Sequence, residues 1–203
     1  MRNVVLMTCV LVGMLTSVGA GAETIVGPGS GGWEYTFTDP TGDPTWNTST
    51  GGWAVGAAPF GNRLGGFVPG DPGGDFDYVT LWPADGTDGD DLWVRRAVNL
   101  NGYDLSTVLW DLGADNGFKL YANGVFIGGA NAEGYTTRWE YSGVFAAALV
   151  PGVNVIALAL EDHGGLTAFD MQITGERRVP EPSSLLLLGL GLFAGSRAAK
   201  RRA

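Results

Sequence analysis

Two acidic, glycine-rich segments contain the residues best suited to binding a metal ion. The first is Asp85-Gly-Thr-Asp88-Gly-Asp90-Asp91, and the second is Asp71-Pro-Gly-Gly-Asp75-Phe-Asp77. Carboxylate oxygens on glycine-rich loops are ligands that Ca²⁺ prefers, although neither segment has the spacing of an EF-hand. We therefore treat Asp85, Asp88 and Asp90 as a candidate calcium site, and calcium as the one candidate cofactor. A solvated acidic loop without a bound ion is the alternative.

The region between residues 23 and 176 offers few groups for catalysis. It has one histidine, His163, and one lysine, Lys119, and the only cysteine of the chain is Cys9, near the N-terminus. It has no Gly-x-Ser-x-Gly elbow, and zinc sites usually need several His or Cys ligands. The region has 20 acidic residues, and nothing in their spacing singles out a pair for glycosidic hydrolysis. We predict that the protein has no catalytic residues and is not an enzyme.

Tryptophans are the remaining candidates for ligand contact, and the chain has seven of them. An indole ring stacks well on the C–H face of a sugar, and nearby Asp or Asn side chains can bind the hydroxyls. Trp46 lies among Thr, Asn and Ser, and Trp82 precedes a proline and an acidic segment, so both are predicted to be exposed. Trp139 alternates with Tyr135 and Tyr141, which makes it either a core residue or a binding platform.

The charge of the chain limits its classes of partner. Residues 23–176 include 20 acidic and 5 basic side chains, a net charge of −15. A domain this acidic repels the phosphates of nucleic acids and the headgroups of anionic lipids. We therefore expect no nucleic-acid partner and a domain that is soluble or that tolerates Ca²⁺.

The first 22 residues have the three parts of a secretory signal. Arg2 provides the positive start, residues 4–18 are almost wholly apolar, and Ala20 and Ala22 are the small residues of a peptidase site. We predict export across the inner membrane and cleavage by signal peptidase after Ala22. An uncut membrane anchor is the alternative, but the apolar run is short for a spanning helix.

The last 27 residues, 177–203, form a second segment of unusual composition. The tripeptide Pro180-Glu181-Pro182 is followed by an uncharged apolar stretch, residues 183–196, and then by a basic end, residues 197–203. Such a stretch favours a bilayer, and a cluster of Arg and Lys favours its cytoplasmic side. The stretch is shorter than the roughly 20 residues of a full span, so we predict a short transmembrane helix. An amphipathic or core helix is the alternative.

This order of a Pro-Glu-Pro tripeptide, an apolar glycine-containing helix and a basic end resembles the PEP-CTERM sorting signal of Gram-negative bacteria. The resemblance implies that an exosortase, a membrane-embedded cysteine protease, recognises Pro180, Glu181 and Pro182 and processes the tail. It also implies transient anchoring in the membrane, followed by a place at the cell surface or in the extracellular matrix. The family is associated with exopolysaccharide and biofilm formation. This resemblance predicts where the protein is located and leaves its activity open.

Residues 23–176 are predicted to form an all-β domain. Asn123-Gly124 favours a two-residue hairpin, and Pro151-Gly152 favours a type II turn. Glycine-rich connections separate the alternating runs, which argues for a two-sheet β-sandwich or jelly roll. The predicted strands are residues 33–37, 92–98, 105–112, 118–122, 125–127, 135–141, 153–160 and 166–173.

Several phrases of this domain resemble the galactose-binding-like jelly rolls of carbohydrate-binding modules. The resemblance implies a jelly-roll fold, and by analogy an extracellular polysaccharide as partner, with calcium near one edge as is common in that family. It leaves two functions open: non-catalytic glycan binding, and a purely structural acidic matrix protein without a specific glycan ligand. The phrases that carry it are residues 53–61, 91–96, 114–124, 151–157 and 169–170.

Overall fold

The computed structural model describes residues 21–62, 78–83, 90–131 and 138–178. Within these ranges the chain forms strands and two single-turn 3-10 helices, Leu105–Thr107 and Ala146–Ala148, so the all-β prediction is confirmed. No helix in these ranges is long and apolar enough to cross a membrane. The strands are β1 (Ala22–Val26), β2 (Gly31–Thr36), β3 (Ala54–Ala57), β4 (Phe60–Gly61), β5 (Thr80–Leu81), β6 (Asp90–Asn99), β7 (Leu109–Asp115), β8 (Gly117–Ala122), β9 (Val125–Ala130), β10 (Tyr141–Val144), β11 (Val153–Glu161) and β12 (Ala168–Glu176).

The described strands form two six-stranded sheets. Sheet I has the order β10-β7-β12-β4-β5, with β1 paired to the end of β12, and sheet II has the order β3-β2-β6-β11-β8-β9. Neighbours are antiparallel except for β4 and β5, which are parallel. The two sheets share one hydrophobic core, which confirms the predicted β-sandwich.

Alternation along each strand fills the space between the sheets. In β12, Phe169, Met171 and Ile173 point inward and are fully buried, so Asp170 between them faces away from the core. Trp33 of sheet II meets Phe169 edge-on, with 5.5 Å between ring centroids. Aromatic rings favour this T-shaped geometry, which adds to the area they bury.

The strand directions give the sandwich two poles. At the tail pole, β1 begins and β12 ends, with Ala22 paired to Glu176. The backbone N–H of Arg178 donates to the carbonyl of Gly102 there, at 2.7 Å. At the opposite acidic pole, β6 begins, β7 passes directly into β8, and β11 ends. Both ends of the described domain therefore lie at the tail pole.

The local turn chemistry follows the sequence in two places. Asn123 and Gly124 both have positive φ, at 51° and 80°, as the predicted hairpin between β8 and β9 requires. Gly152 has a φ of 98°, as expected for the third position of a type II turn.

Two of the predicted strands start four or more residues later than expected. Asp104 accepts a hydrogen bond from the backbone N–H of Ser106 at 3.0 Å and so caps a 3-10 turn where residues 105–107 were predicted as strand. Residues 138 and 139 lie in a turn, and β10 begins only at Tyr141. No predicted strand corresponds to β1, β3, β4 or β5, most of which are short.

A buried arginine fixes a covering segment, residues 37–53, to the outer face of sheet II. Arg95 donates from Nε to Oε2 of Glu34 at 2.9 Å, directly across the β2–β6 pairing. Its two terminal nitrogens donate to the carbonyls of Trp46 and Gly51, at 3.1 and 2.6 Å. The guanidinium lies 3.8 Å from the ring centroid of Trp53. All three nitrogens of this buried cation are thus bonded, which is the condition for burying a charge.

We expect Arg95→Leu to destabilise the fold by about 3–5 kcal/mol, because it removes the positive charge that neutralises Glu34 and the donors of two carbonyls. Urea unfolding at neutral pH measures this change. The matched control is Arg177→Leu, which removes an exposed ion pair to Glu23 of similar length, 2.6 Å. Solvent screens that pair, so the urea midpoint should hardly move. Equal losses from both variants would contradict the role given to Arg95.

Candidate functional site

Most of the predicted calcium and sorting residues lie outside the described residues. This applies to Asp85 and Asp88, to the second acidic segment at 71–77, to Ala20, and to Pro180, Glu181 and Pro182. Asp90 is the first residue of β6, and Ala22 is the first residue of β1. Among the described residues no group of three or more His, Cys, Asp or Glu side chains could hold a metal ion.

The predictions that Trp46 and Trp82 are exposed are wrong. Trp46 is 7% exposed and packs on the outer face of sheet II against Ala157 and Ala159. These small side chains leave room for an indole, and Tyr121 meets it edge-on at 5.3 Å. Trp82 is fully buried in the main core. Its backbone N–H donates to the carbonyl of Gly61 at 2.8 Å, which draws the residue inward beside β4.

Trp139 keeps a partly exposed indole. The residue lies in the turn that precedes β10, on the side of sheet I, and the predicted alternating strand through it is not formed there. The guanidinium of Arg138 lies 5.1 Å from the centroid of its ring. Of the three tryptophans predicted to contact a ligand, Trp139 is the one that is not buried.

Arg138 is held in place by a buried carboxylate. Its Nη2 and Nε donate to Oδ2 of Asp170 at 2.7 and 3.2 Å, and the other carboxylate oxygen accepts from the N–H of Met171 at 2.8 Å. Burial raises the pKa of Asp170, and the hydrogen bonds and charge of Arg138 oppose that rise. The ion pair therefore restricts the motion of the Arg138 guanidinium and holds it beside Trp139.

The same outer face of sheet I continues with further polar groups. Gln172, two residues after Asp170, donates from Nε2 to Oδ2 of Asp111 on β7 at 2.9 Å. Gly113 lies opposite Asp170 and adds no side chain to this surface. We call the row formed by Trp139, Arg138, Asp170, Gln172 and Asp111 the Trp139 strip.

Asp170 is fully buried and orients Arg138 without facing a ligand. The partly exposed residues of the strip, Trp139, Arg138, Gln172 and Asp111, combine one aromatic face with a guanidinium, an amide and one carboxylate. Such a set can stack on an apolar ring face and exchange hydrogen bonds with hydroxyls around it. Neither Arg138 nor Asp170 was predicted from the sequence to be a site residue. No local signal singles out Asp170, because β12 alternates regularly and its other outward positions, Gln172, Thr174 and Glu176, are polar as well.

A second cluster of ionisable groups lies at the acidic pole. Asn116, in the β7–β8 turn, accepts from the N–H of His163 at 2.7 Å, and Asp91 accepts from the N–H of Asp162 at 2.6 Å. Burial, reinforced by the negative charges of Asp162 and Glu140 and opposed by His163, raises the pKa of Asp115 to about 7. The two hydrogen bonds link the ends of neighbouring strands, which gives the cluster a structural role. The cluster also contains Asp115, which titrates near neutral pH.

Residues 178–202 match the PEP-CTERM protein-sorting motif. The resemblance predicted from Pro180, Glu181 and Pro182 is therefore confirmed. The motif indicates a protein that is exported, processed by an exosortase, and held transiently at a membrane by its C-terminal tail before surface display. The match covers the tail and says nothing about the ligand of the domain.

No curated protein matches the chain. Among solved structures, the chain is similar to a β-glucuronidase from Ruminococcus gnavus in complex with D-glucuronic acid, with 11% identity and a TM-score of 0.48 over 80% of this chain and 30% of that one. The same enzyme in its apo form gives 11% identity and a TM-score of 0.47, again over 80% and 30%. This chain spans only about 30% of the length of those enzymes.

Asp115→Asn should change how stability depends on pH. An aspartate in an unfolded chain has a pKa near 3.9, so between about pH 4 and pH 7 the folded protein keeps a proton that the unfolded chain has released. This carboxyl therefore lowers stability as pH rises through that window. At pH 8 the variant should be more stable than the parent by up to about 4 kcal/mol, with a much smaller difference at pH 4.

The measurement is urea unfolding of both chains across this pH range. Glu140→Gln, which alters an exposed side chain, should give a smaller gain in the same direction, because the charge of Glu140 raises the pKa of Asp115. If neither substitution changes the dependence of stability on pH, folding does not raise the pKa of Asp115, and the prediction is wrong.

Proposed function

We propose that this exosortase-sorted protein binds an extracellular polysaccharide non-catalytically through the Trp139 strip of its β-sandwich domain. The observation that carries the proposal is the fixed pairing of an accessible indole with Arg138, which Asp170 holds by two hydrogen bonds of 2.7 and 3.2 Å. Rigid aromatic and guanidinium groups lose little entropy when a ligand binds. The resemblance to galactose-binding-like jelly rolls supports the same function by analogy.

The charge around the strip favours a neutral polysaccharide. Asp170 compensates the charge of Arg138, and Asp111 adds a further carboxylate. Residues 23–176 carry a net charge of −15, which repels a polymer of uronic acids or sulfated sugars at physiological ionic strength. A neutral glycan has no such repulsion to overcome.

A binding role without hydrolysis is supported by the state of the carboxylates in the strip. Glycosidases use two carboxyl groups that face the scissile bond, one of them as a proton donor. Asp170 is fully buried in an ion pair, and Asp111 is bonded to the amide of Gln172. Asp115, whose pKa is about 7, is itself buried at the acidic pole. We therefore propose that the domain is not an enzyme.

A structural matrix protein is the second candidate, and the net charge of the domain favours it. An acidic surface can bridge polymers or cells through multivalent cations without selecting a sugar. In this case Asp85, Asp88 and Asp90 would contribute to calcium binding, as the sequence analysis proposed. Association would then depend on the cation and not on Trp139.

Trp139→Ala should weaken binding of a neutral glycan by at least about tenfold, because it removes the stacking surface. Phe37→Ala is the control, since Phe37 is an exposed aromatic residue that lies outside the strip. Glycan-array screening of the purified chain, with calcium and then with chelator, identifies the ligand. Affinity electrophoresis then compares the variants.

The two candidate functions give different outcomes. Binding that survives chelation and depends on Trp139 supports the glycan-binding function. Cation-dependent association that Trp139→Ala does not change supports the matrix function. The absence of binding to any glycan in both conditions would refute the first proposal.

A further inference from the structure

Exposed apolar side chains gather at the tail pole. Among the described residues ten large hydrophobic side chains are strongly exposed, and six of these lie at or beside this pole. The six are 45–64% exposed, and they are Leu109, Val125, Phe126, Val144, Val150 and Val153. A cluster of this kind marks a surface that meets another apolar phase, whereas single exposed residues need no explanation.

The strand pairing places these residues together. Val144, the last residue of β10, pairs with Leu109, the first residue of β7. Val125 and Phe126 start β9, directly after the hairpin turn, and line an open groove of about 350 Å³ together with Val144. Val153 starts β11 opposite Asn99. We call these six residues the apolar rim.

The same pole is the point from which the sorting tail leaves the domain. Arg177 forms a β-bridge with Tyr103, and the N–H of Arg178 is bonded to Gly102 at 2.7 Å. Only four residues, 179–182, separate Arg178 from the apolar stretch that begins at residue 183. At up to 3.6 Å per residue, the five steps from 178 to 183 span at most about 18 Å.

The bilayer must therefore lie close to the apolar rim whenever the tail is inserted. The headgroup layer occupies roughly 5–8 Å on each side of the hydrocarbon core, so a tether of this length leaves the tail pole in or just above that layer. The tether also keeps the local concentration of lipid high, which makes weak apolar contacts effective.

We infer that the apolar rim is a lipid-contacting surface that rests in the bilayer interface while the tail anchors the protein. The transfer of valine and phenylalanine side chains from water to the interface lowers the free energy of the system. Arg177 and Arg178 lie at the same pole, but so do Glu23, Asp104 and Glu176. The contact is therefore assigned to the apolar interface of zwitterionic lipid and not to anionic headgroups. This inferred lipid contact depends on the sorting motif and is independent of glycan binding.

Site-specific labelling tests this surface, because a chain cleaved after Ala22 contains no cysteine. Val153→Cys and Val125→Cys place a polarity-sensitive fluorophore on the apolar rim. Val79→Cys is the matched control: Val79 is 63% exposed and its N–H is bonded to Pro59, beside β4 and away from the tail pole. Each chain, from Glu23 to Ala203, is reconstituted in phosphatidylcholine vesicles, and anchoring is checked by co-flotation.

We expect blue-shifted emission and quenching by spin-labelled lipid at positions 153 and 125, and neither effect at position 79. Val150→Asp should reduce the quenching at position 125, because it places a charge in the apolar rim. Failure to co-float, water-like emission at both rim positions, or equal quenching at position 79 would overturn the inference. These readouts need no glycan, so they stand or fall separately from the proposed function.

Discussion

The antiparallel pairing of β1 with β12 is the constraint from which the arrangement of the whole molecule follows. Because Ala22 lies opposite Glu176, the chain enters and leaves the sandwich at one pole. The guanidinium of Arg177 binds the carboxylate of Glu23 at 2.6 Å and closes the same end. The ionisable cluster around Asp115 is thereby placed at the far end of the strands. A tail inserted in a membrane must then direct that cluster, and the nearby Trp139 strip, away from the lipid.

Arg95 keeps part of the outer face of sheet II covered by protein. By binding Glu34 and two carbonyls of the covering segment, it keeps Trp46 packed on Ala157 and Ala159. The outer face of sheet II is covered there by protein. The outer face of sheet I has polar side chains instead, ordered by pairs such as Gln172 with Asp111. A buried charge whose partners are all present can specify one arrangement in this way, even where its net contribution to stability is small.

Local sequence signals predicted the fold well and the site poorly. Alternation found the long strands β6, β11 and β12, and Asn123-Gly124 marked the hairpin, because both signals act within a few residues. Trp46 was misplaced because the alanines that receive it lie more than 100 residues later in the chain. Asp170 and Arg138 meet across 32 residues. Such contacts depend on sheet order, which alternation does not reveal.

The ionisable cluster at the acidic pole is compatible with a place on the membrane because it lies at the end of the sandwich opposite the tail pole. A nine-residue strand such as β11 rises about 3.3 Å per residue, so the poles are about 30 Å apart. That distance is several times the Debye length of about 8 Å at physiological ionic strength. Repulsion between the acidic pole and the headgroups is therefore largely screened. The interaction with lipid is decided at the tail pole, where acidic and basic side chains both occur and the exposed valines are uncharged.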